Sequence, residues 1–370
     1  MRLTATKAPR AITMWDFSWL ERRWPGAGFE DCDVALSALV ERGYDSVRID
    51  PYPHLLAIDP HAEYRLIPVW TQHDWGAQYA INVRIHDPLM DFLRACRRHG
   101  VGVGLSTWFR QDSMNHRLRI KTPEDHAAIW ARTLELIDKA GLSDTLIYVD
   151  FCNEWPIPTW APFFANTPGS KVGDWHSAAS MQWMERSIKA LRPSAPDLDL
   201  TYSFTRDLLN PEKLKADIGF LDFLEPHIWM SYTTDFDAQI GYALQNFDPV
   251  GYELLAARGP RHYRANPAKW QRGLTDAIDI MADWSARSGK PMASTECWAT
   301  VNYKDGPGLD WDWVIELCEI GTRHATDSGQ FVAVGTSNFC APQFHGMWRD
   351  IEWHRKLTAH IHAGRVPGSR

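Results

Sequence analysis

The chain has 370 residues, 45% of them hydrophobic and 23% charged, which are ordinary globular values and exclude a disordered or fibrous protein. Its 39 Lys and Arg against 46 Asp and Glu give a net charge of −7, so no overall field draws it to nucleic acid or to an acidic membrane. Trp is in surplus, with 19 against 15 Phe and 11 Tyr.

The first residues carry Arg2, Lys7 and Arg10 with no continuous apolar run after them, unlike a signal peptide, and no segment reads as a membrane span. The six Cys are scattered without paired spacing, as reduced core thiols are. Together these features predict a cytoplasmic protein.

Short apolar runs then alternate with amphipathic helical stretches. A first strand is predicted over 11–19 and a helix from about Phe29 to Arg42, ended by Gly43. Strand two is 44–50, followed by a helix from Asp87 to His99 with Asp87 as cap, Pro88 at the first position and Gly100 at the end. Strand three is 101–108, with a helix from Pro123 to Lys139 capped by Thr122. Strand four is 146–154, with a helix from Asp174 to Leu191. Strand five is 198–205, with a short helix near Pro211. Strand six is 220–230, with a helix from Pro267 to Ser288. Strand seven is 291–298, with a helix from Trp311 to Asp327. Strand eight is 331–339, and a helix from Trp348 to Ala363 closes the chain.

Eight strands alternating with eight helices is the count of a (β/α)8 TIM barrel, so residues 1–370 are predicted to form one catalytic domain of that α/β class. A doubly wound sheet would carry a Gly-rich turn after its first strand, and none is present. Long connections follow strands two (51–86), four (155–173) and six (231–266), all on the face that carries chemistry in a barrel. They are rich in aromatics: Trp70, Trp75, Trp160, Phe163, Phe164, Tyr242, Phe247, Tyr252 and Tyr263. About half of these are expected to pack the loops, and the others to stack on sugar rings.

Glu154 ends strand four in YVDFCNEWPIP and Glu296 ends strand seven in MASTECW. Side chains at the C-terminal ends of barrel strands converge, and two Glu there can perform glycoside hydrolysis, one protonating the leaving oxygen and one attacking the anomeric carbon. Parity places Trp229 on the face of His227, Asp150 on the face of Glu154, and Gly102, Gly104, Ser106 and Trp108 on one face of strand three, with Trp108 at the mouth.

An Asn-Glu pair ending strand four and a Glu ending strand seven resemble clan A retaining glycosidases, in the cellulase-like branch near glycoside hydrolase family 5. The resemblance spans about residues 11 to 360 and implies roles by position. Glu154 becomes the acid/base, Glu296 the nucleophile and Asn153 the residue bonding the sugar 2-hydroxyl. Arg48, in SVRID, matches the arginine that supports the nucleophile, and His227, in EPHIWM, matches the active-site histidine. Trp229 stands where the clan has a strand-six Tyr, with Tyr232 three residues on, and GTSNF lacks the clan's strand-eight Trp. Trp108, Trp229, Tyr232 and Trp298 complete the expected sugar-binding set.

The leading expectation is a retaining β-glycosidase without cofactor or metal, acting on a short oligosaccharide or small glycoside, its oligomeric state open. Two alternatives stand beside it. A metal-dependent sugar isomerase or epimerase would use Asp50, Glu154, His227 and Glu296 as ligands for Mn²⁺ or Mg²⁺. A non-catalytic sugar-binding relative would need neither acid nor nucleophile.

Overall fold

The computed structural model describes residues 2–69, 74–205, 207–242, 249–301, 303, 305 and 308–368. Trp70 and Phe247 lie outside the described residues. The fold is α/β, built on a curled parallel sheet of the TIM type.

Its strands are β1 (Arg10–Asp16), β2 (Ser46–Ile49), β3 (Gly102–Leu105), β4 (Leu146–Asp150), β5 (Asp199–Thr201, continued by Ser203–Phe204), β6 (Glu225–Pro226 and Ile228–Trp229), β7 (Met292–Ser294 and Cys297–Trp298) and β8 (Phe331–Gly335). Seven of them form one sheet in the order β7-β8-β1-β2-β3-β4-β5. Short parallel pairs, Ser203 with Glu225 and Ile228 with Cys297, attach β6 to its two neighbours. Nearly every strand residue is buried, as in parallel sheets covered by helices.

The long helices are α1 (Cys32–Glu41), α2 (His86–His99), α3 (Pro123–Lys139), α4 (Ala178–Leu191), α5 (Pro249–Ala265), α6 (Pro267–Ser288), α7 (Asp312–Asp327) and α8 (Ile351–His362). Local chemistry explains their ends. Thr122 and Asp125 form a capping box at the start of α3, Asp31 accepts the N–H groups of Asp33 and Val34 before α1, and Gly100 and Gly289 take left-handed φ values of 69° and 68° after α2 and α6. Asp87 sits in the first turn of α2 instead of capping it.

The sheet differs from the sequence reading at several points. The first strand ends at Asp16, whose φ is 41°, and a short helix, Ser18–Glu21, follows. The connection after β2 contains a helix, Pro53–Leu56, and an antiparallel hairpin, Glu63–Leu66 with Ile81–Arg84. The connection after β6 contains α5, which keeps Pro260 inside it. Near Pro211 only a 3-10 turn forms, Lys213–Lys215.

The sheet's interior is layered. Leu3, Ile12, Ile147, Tyr148, Phe223, Ala293, Val332, Ala333 and Val366 form an apolar floor. Gly104 lets the Tyr148 ring lie against β3, since a Cβ there would fall 2.3 Å from it. Above the floor the interior turns polar, with Arg48, Asp150, Glu225 and Ser203 all wholly buried.

Candidate active site

Arg48, on β2, organises the polar layer. Its Nη1 donates to Glu296 Oε1 at 2.7 Å, and its Nη2 donates to Asp150 Oδ2 at 2.7 Å, Asn153 Oδ1 at 2.7 Å and Ser106 Oγ at 2.9 Å. Its guanidinium carbon stands 4.6 Å from the centre of the Trp108 ring, a cation–π contact that fixes its plane. Ser106 and Ser203 donate to Asp150 Oδ2 at 2.6 and 2.9 Å, so Asp150 serves as a buried anchor.

Across the mouth, His227 Nδ1 lies 3.2 Å from Glu154 Oε1 and 3.7 Å from Glu296 Oε2. One ligand-capable atom from each of Glu154, His227 and Glu296 falls within 4.8 Å of the others. The Glu154 backbone is held at a φ of 50° by its own N–H donating to Ser203 Oγ at 2.9 Å. That conformation is costly for a residue with a Cβ, and such strain persists where surrounding structure fixes it.

Proton affinities follow from this arrangement. Burial works against the charge on Arg48, but Glu225, Asp150 and Glu296 more than reverse it and hold the guanidinium protonated. Burial likewise disfavours a charged His227, yet the charge of Glu296 and the bond to Glu154 raise its pKa. Burial and the neighbouring Glu154 charge raise the Glu296 pKa against the pull of His227 and Arg48. Burial pushes Glu154 upward too, but the His227 bond outweighs it and the net direction is down. These directions favour a charged His227 beside an ionised Glu154, where the position-based roles expect the proton on Glu154. Both placements contain the same number of protons, related by one transfer across the 3.2 Å contact.

Several expected residues occupy other settings. Asp50 accepts the backbone N–H groups of Tyr52 at 2.7 Å and Trp108 at 2.9 Å, one on each oxygen, so it is committed to turn geometry and does not join the Glu154–His227–Glu296 cluster. Trp298 is wholly buried; its Nε1 donates to Gly335 O at 2.8 Å and its ring lies against Gly321 of α7. It is a packing residue between sheet and helix, which corrects its expected place on the sugar. Strand β7 is interrupted between Ser294 and Cys297, so the alternation that puts Glu296 inside does not continue to Trp298.

Trp229 and Tyr232 line a cavity of about 680 Å³ that begins at His227 and Thr205 and runs to Asp237 and Tyr242. Trp108 packs beneath Arg48 and edge-on against Phe17. The described loop aromatics Trp75, Trp160, Phe163, Phe164, Tyr242, Tyr252 and Tyr263 are all buried; Trp160 also hydrogen-bonds the Glu154 side chain and Tyr242 lines the cavity. Glu225, behind Arg48, is the site residue that sequence reasoning left unmarked; its parity with His227 was the available clue.

A family model described as sugar-binding cellulase-like matches residues 12–362. A candidate glycoside hydrolase from Parabacteroides distasonis is similar at 46% identity and a TM-score of 0.95, over 98% of this chain and 96% of that one. GH5_18 from Streptomyces cattleya, in complex with GlcNAc, shares the fold at 11% identity and a TM-score of 0.55, over 99% of this chain and 83% of its own. The endo-β-1,4-mannanase from Thermotoga petrophila does so at 10% identity and a TM-score of 0.56, over 98% and 78%. A comparison with curated proteins finds no match. No helix among the described residues is long and apolar enough to cross a membrane. With a site of two carboxylates, an arginine and a histidine at the strand ends, and a match along nearly its whole length, the chain belongs to the sugar-binding cellulase-like family.

Proposed function

We propose that the protein is a retaining β-glycosidase whose residues 1–370 form a single (β/α)8 catalytic domain, with Glu296 as nucleophile and Glu154 as acid/base. The observation that carries this reading is the close approach of the two carboxylates. One oxygen of each lies within 4.8 Å of the other, and of these two carboxylates Arg48 bonds only Glu296. Retaining enzymes need carboxyl groups about 5–5.5 Å apart, whereas inverting ones need about 6.5–9.5 Å to admit a water.

In the first step, Glu296 attacks the anomeric carbon as the glycosidic bond breaks and the leaving oxygen takes a proton from Glu154. That proton reaches Glu154 from His227 Nδ1 along the existing contact, which leaves the ring neutral. Arg48 favours the ionised form of Glu296 against the burial that raises its pKa. Water then attacks the glycosyl ester, with Glu154 accepting its proton. Asn153, aimed by Arg48 through its Oδ1, faces the sugar 2-hydroxyl.

The cavity beside His227 has the volume of a small-ligand site, which supports a short oligosaccharide or small glycoside as substrate. A screen of aryl β-glycosides and natural oligosaccharides, with Glu296→Ala as blank, tests the activity. A sugar-binding role without turnover is the second reading, favoured by the family's description. Calorimetric binding with no product from any member of the screen decides for it.

A further inference from the structure

Glu225 lies on β6, two residues before His227, and is wholly buried. Its Oε1 accepts a hydrogen bond from Thr295 Oγ1 at 2.5 Å and stands 3.6 Å from Arg48 Nε. Its Oε2, Arg48 Nε and the Tyr148 hydroxyl are buried polar atoms without a hydrogen-bond partner.

Three carboxylates thus face one guanidinium. Asp150 and Glu296 each accept a direct bond from it at 2.7 Å, while Glu225 accepts none. If all three were ionised, two negative charges would stand uncompensated around a wholly buried Arg48, an arrangement that desolvation makes costly. Glu225 is the member that loses least by taking a proton, because no charge-assisted bond is given up and Oε2 is open to receive it.

Its contacts reach Glu296 from two directions. Thr295 precedes Glu296 in the chain, and Arg48 holds Glu296 Oε1. We propose that Glu225 is a positioning residue for Glu296 that, in its protonated form, fixes Thr295 and leaves the charge of Arg48 to Glu296 and Asp150. The proposal rests on the reading of Glu296 as nucleophile.

The charged and titratable groups facing Glu225 are Arg48 from β2, Tyr148 and Asp150 from β4, His227 from β6 and Glu296 from β7. Burial raises the Glu225 pKa to about 7 against the pull of Arg48, and Asp150 adds to the rise. Loss of that proton to solvent creates an anion that competes with Glu296 for Arg48, so the Glu296 carboxyl senses the event.

The test is carboxyl ¹³C NMR of the full chain labelled at Glu, with Glu225 and Glu296 assigned through Glu225→Gln and Glu296→Gln. In the wild type the Glu296 signal should show a second inflection near 7, matching the titration of Glu225, and this inflection should vanish in Glu225→Gln. The pH profile of kcat/KM on an aryl β-glycoside should lose the same inflection. A residue with only a structural role would lower stability and leave both pH curves in place. Should Glu225→Gln fail to fold, the wild-type Glu225 signal, assigned by its displacement in Thr295→Val, carries the test alone. A Glu225 that is ionised from about pH 5 to about pH 8, or an inflection that persists in Glu225→Gln, overturns the proposal. If the wild type turns over no glycoside while the coupled inflection is present, the hydrolase reading fails and the proton on Glu225 stands.

Discussion

His227 and His126 are both buried, yet they hold protons in opposite ways. His126, on α3, sits in an aromatic cage of Phe109, Phe151, Trp155, Phe163 and Tyr202. Trp183 Nε1 donates to its Nδ1 at 3.0 Å, and its Nε2 donates to Phe151 O at 3.0 Å. Burial lowers its pKa to about 4, so it stays neutral. His227 is as deeply buried, but the Glu296 charge and the Glu154 bond raise its pKa. The difference teaches that burial alone discharges an imidazole, and that two carboxylates within 4 Å suffice to reverse it. One region of the molecule uses histidine as a packing and hydrogen-bonding piece; the other uses it as a proton store.

The largest expected effects are at the carboxylates beside His227. Glu296→Ala should abolish turnover, and added azide should restore reaction as a glycosyl azide of inverted configuration. Glu154→Ala should lose about 10²–10⁴-fold on natural glycosides and much less on substrates with good leaving groups. Equal losses on both substrate types would remove the separate roles.

Arg48→Met sharpens the contrast by stability. It leaves the Asp150 and Glu296 carboxylates without their counter-charge, and denaturant unfolding should show a loss of about 3–5 kcal/mol. His126→Ala strands the Trp183 indole N–H instead, with an expected loss of about 1–3 kcal/mol and no change in the pH dependence of activity.

The pH dependence of stability separates the regions by sign. His126, with a folded pKa of about 4 against 6.5 unfolded, makes unfolding take up a proton as the solution is acidified, so stability falls between those values. His227 acts at the other end, and Glu225 opposes His126 across much of the same window. His227 is raised above 6.5, so its contribution is full below that value and is lost as pH rises through the folded pKa. Glu225, at about 7 against 4.5 unfolded, makes stability fall as pH rises through that window. In thermal melts, His126→Ala should remove a loss of stability on acidification from about 6.5 to about 4, and Glu225→Gln should remove the opposing loss as pH rises from about 4.5 to about 7. The smallest effect is expected from metal removal: chelation should leave activity unchanged, because Arg48 and His227 already supply the positive charge that Glu154 and Glu296 face.

The sequence makes the alternation of strands and helices readable because β-runs and amphipathic helices have different periods. It also marks Arg48, Asn153, Glu154, His227 and Glu296, since each stands at or near a strand end, and the structure brings these five together. Other features are hidden for physical reasons. The hairpin of Glu63–Leu66 and Ile81–Arg84 is joined by a connection too long to carry a turn pattern. Helix α5 contains Gly251, Gly259 and Pro260, which break its helical pattern. The surplus of Trp reads as sugar platforms, but Trp155, Trp183, Trp298 and Trp313 are core, and nothing in composition distinguishes the two uses. Glu225 escaped because a carboxylate beneath the catalytic layer has no sequence mark beyond its parity with His227.

Proton NMR of the first product formed from a β-glycoside substrate tests the paired-carboxylate account most directly, read before the released sugar mutarotates. Attack by Glu296 followed by water from the same face predicts the β-anomer as the first sugar released. The α-anomer at early times would mean that water, not Glu296, attacks the anomeric carbon, and would contradict the account.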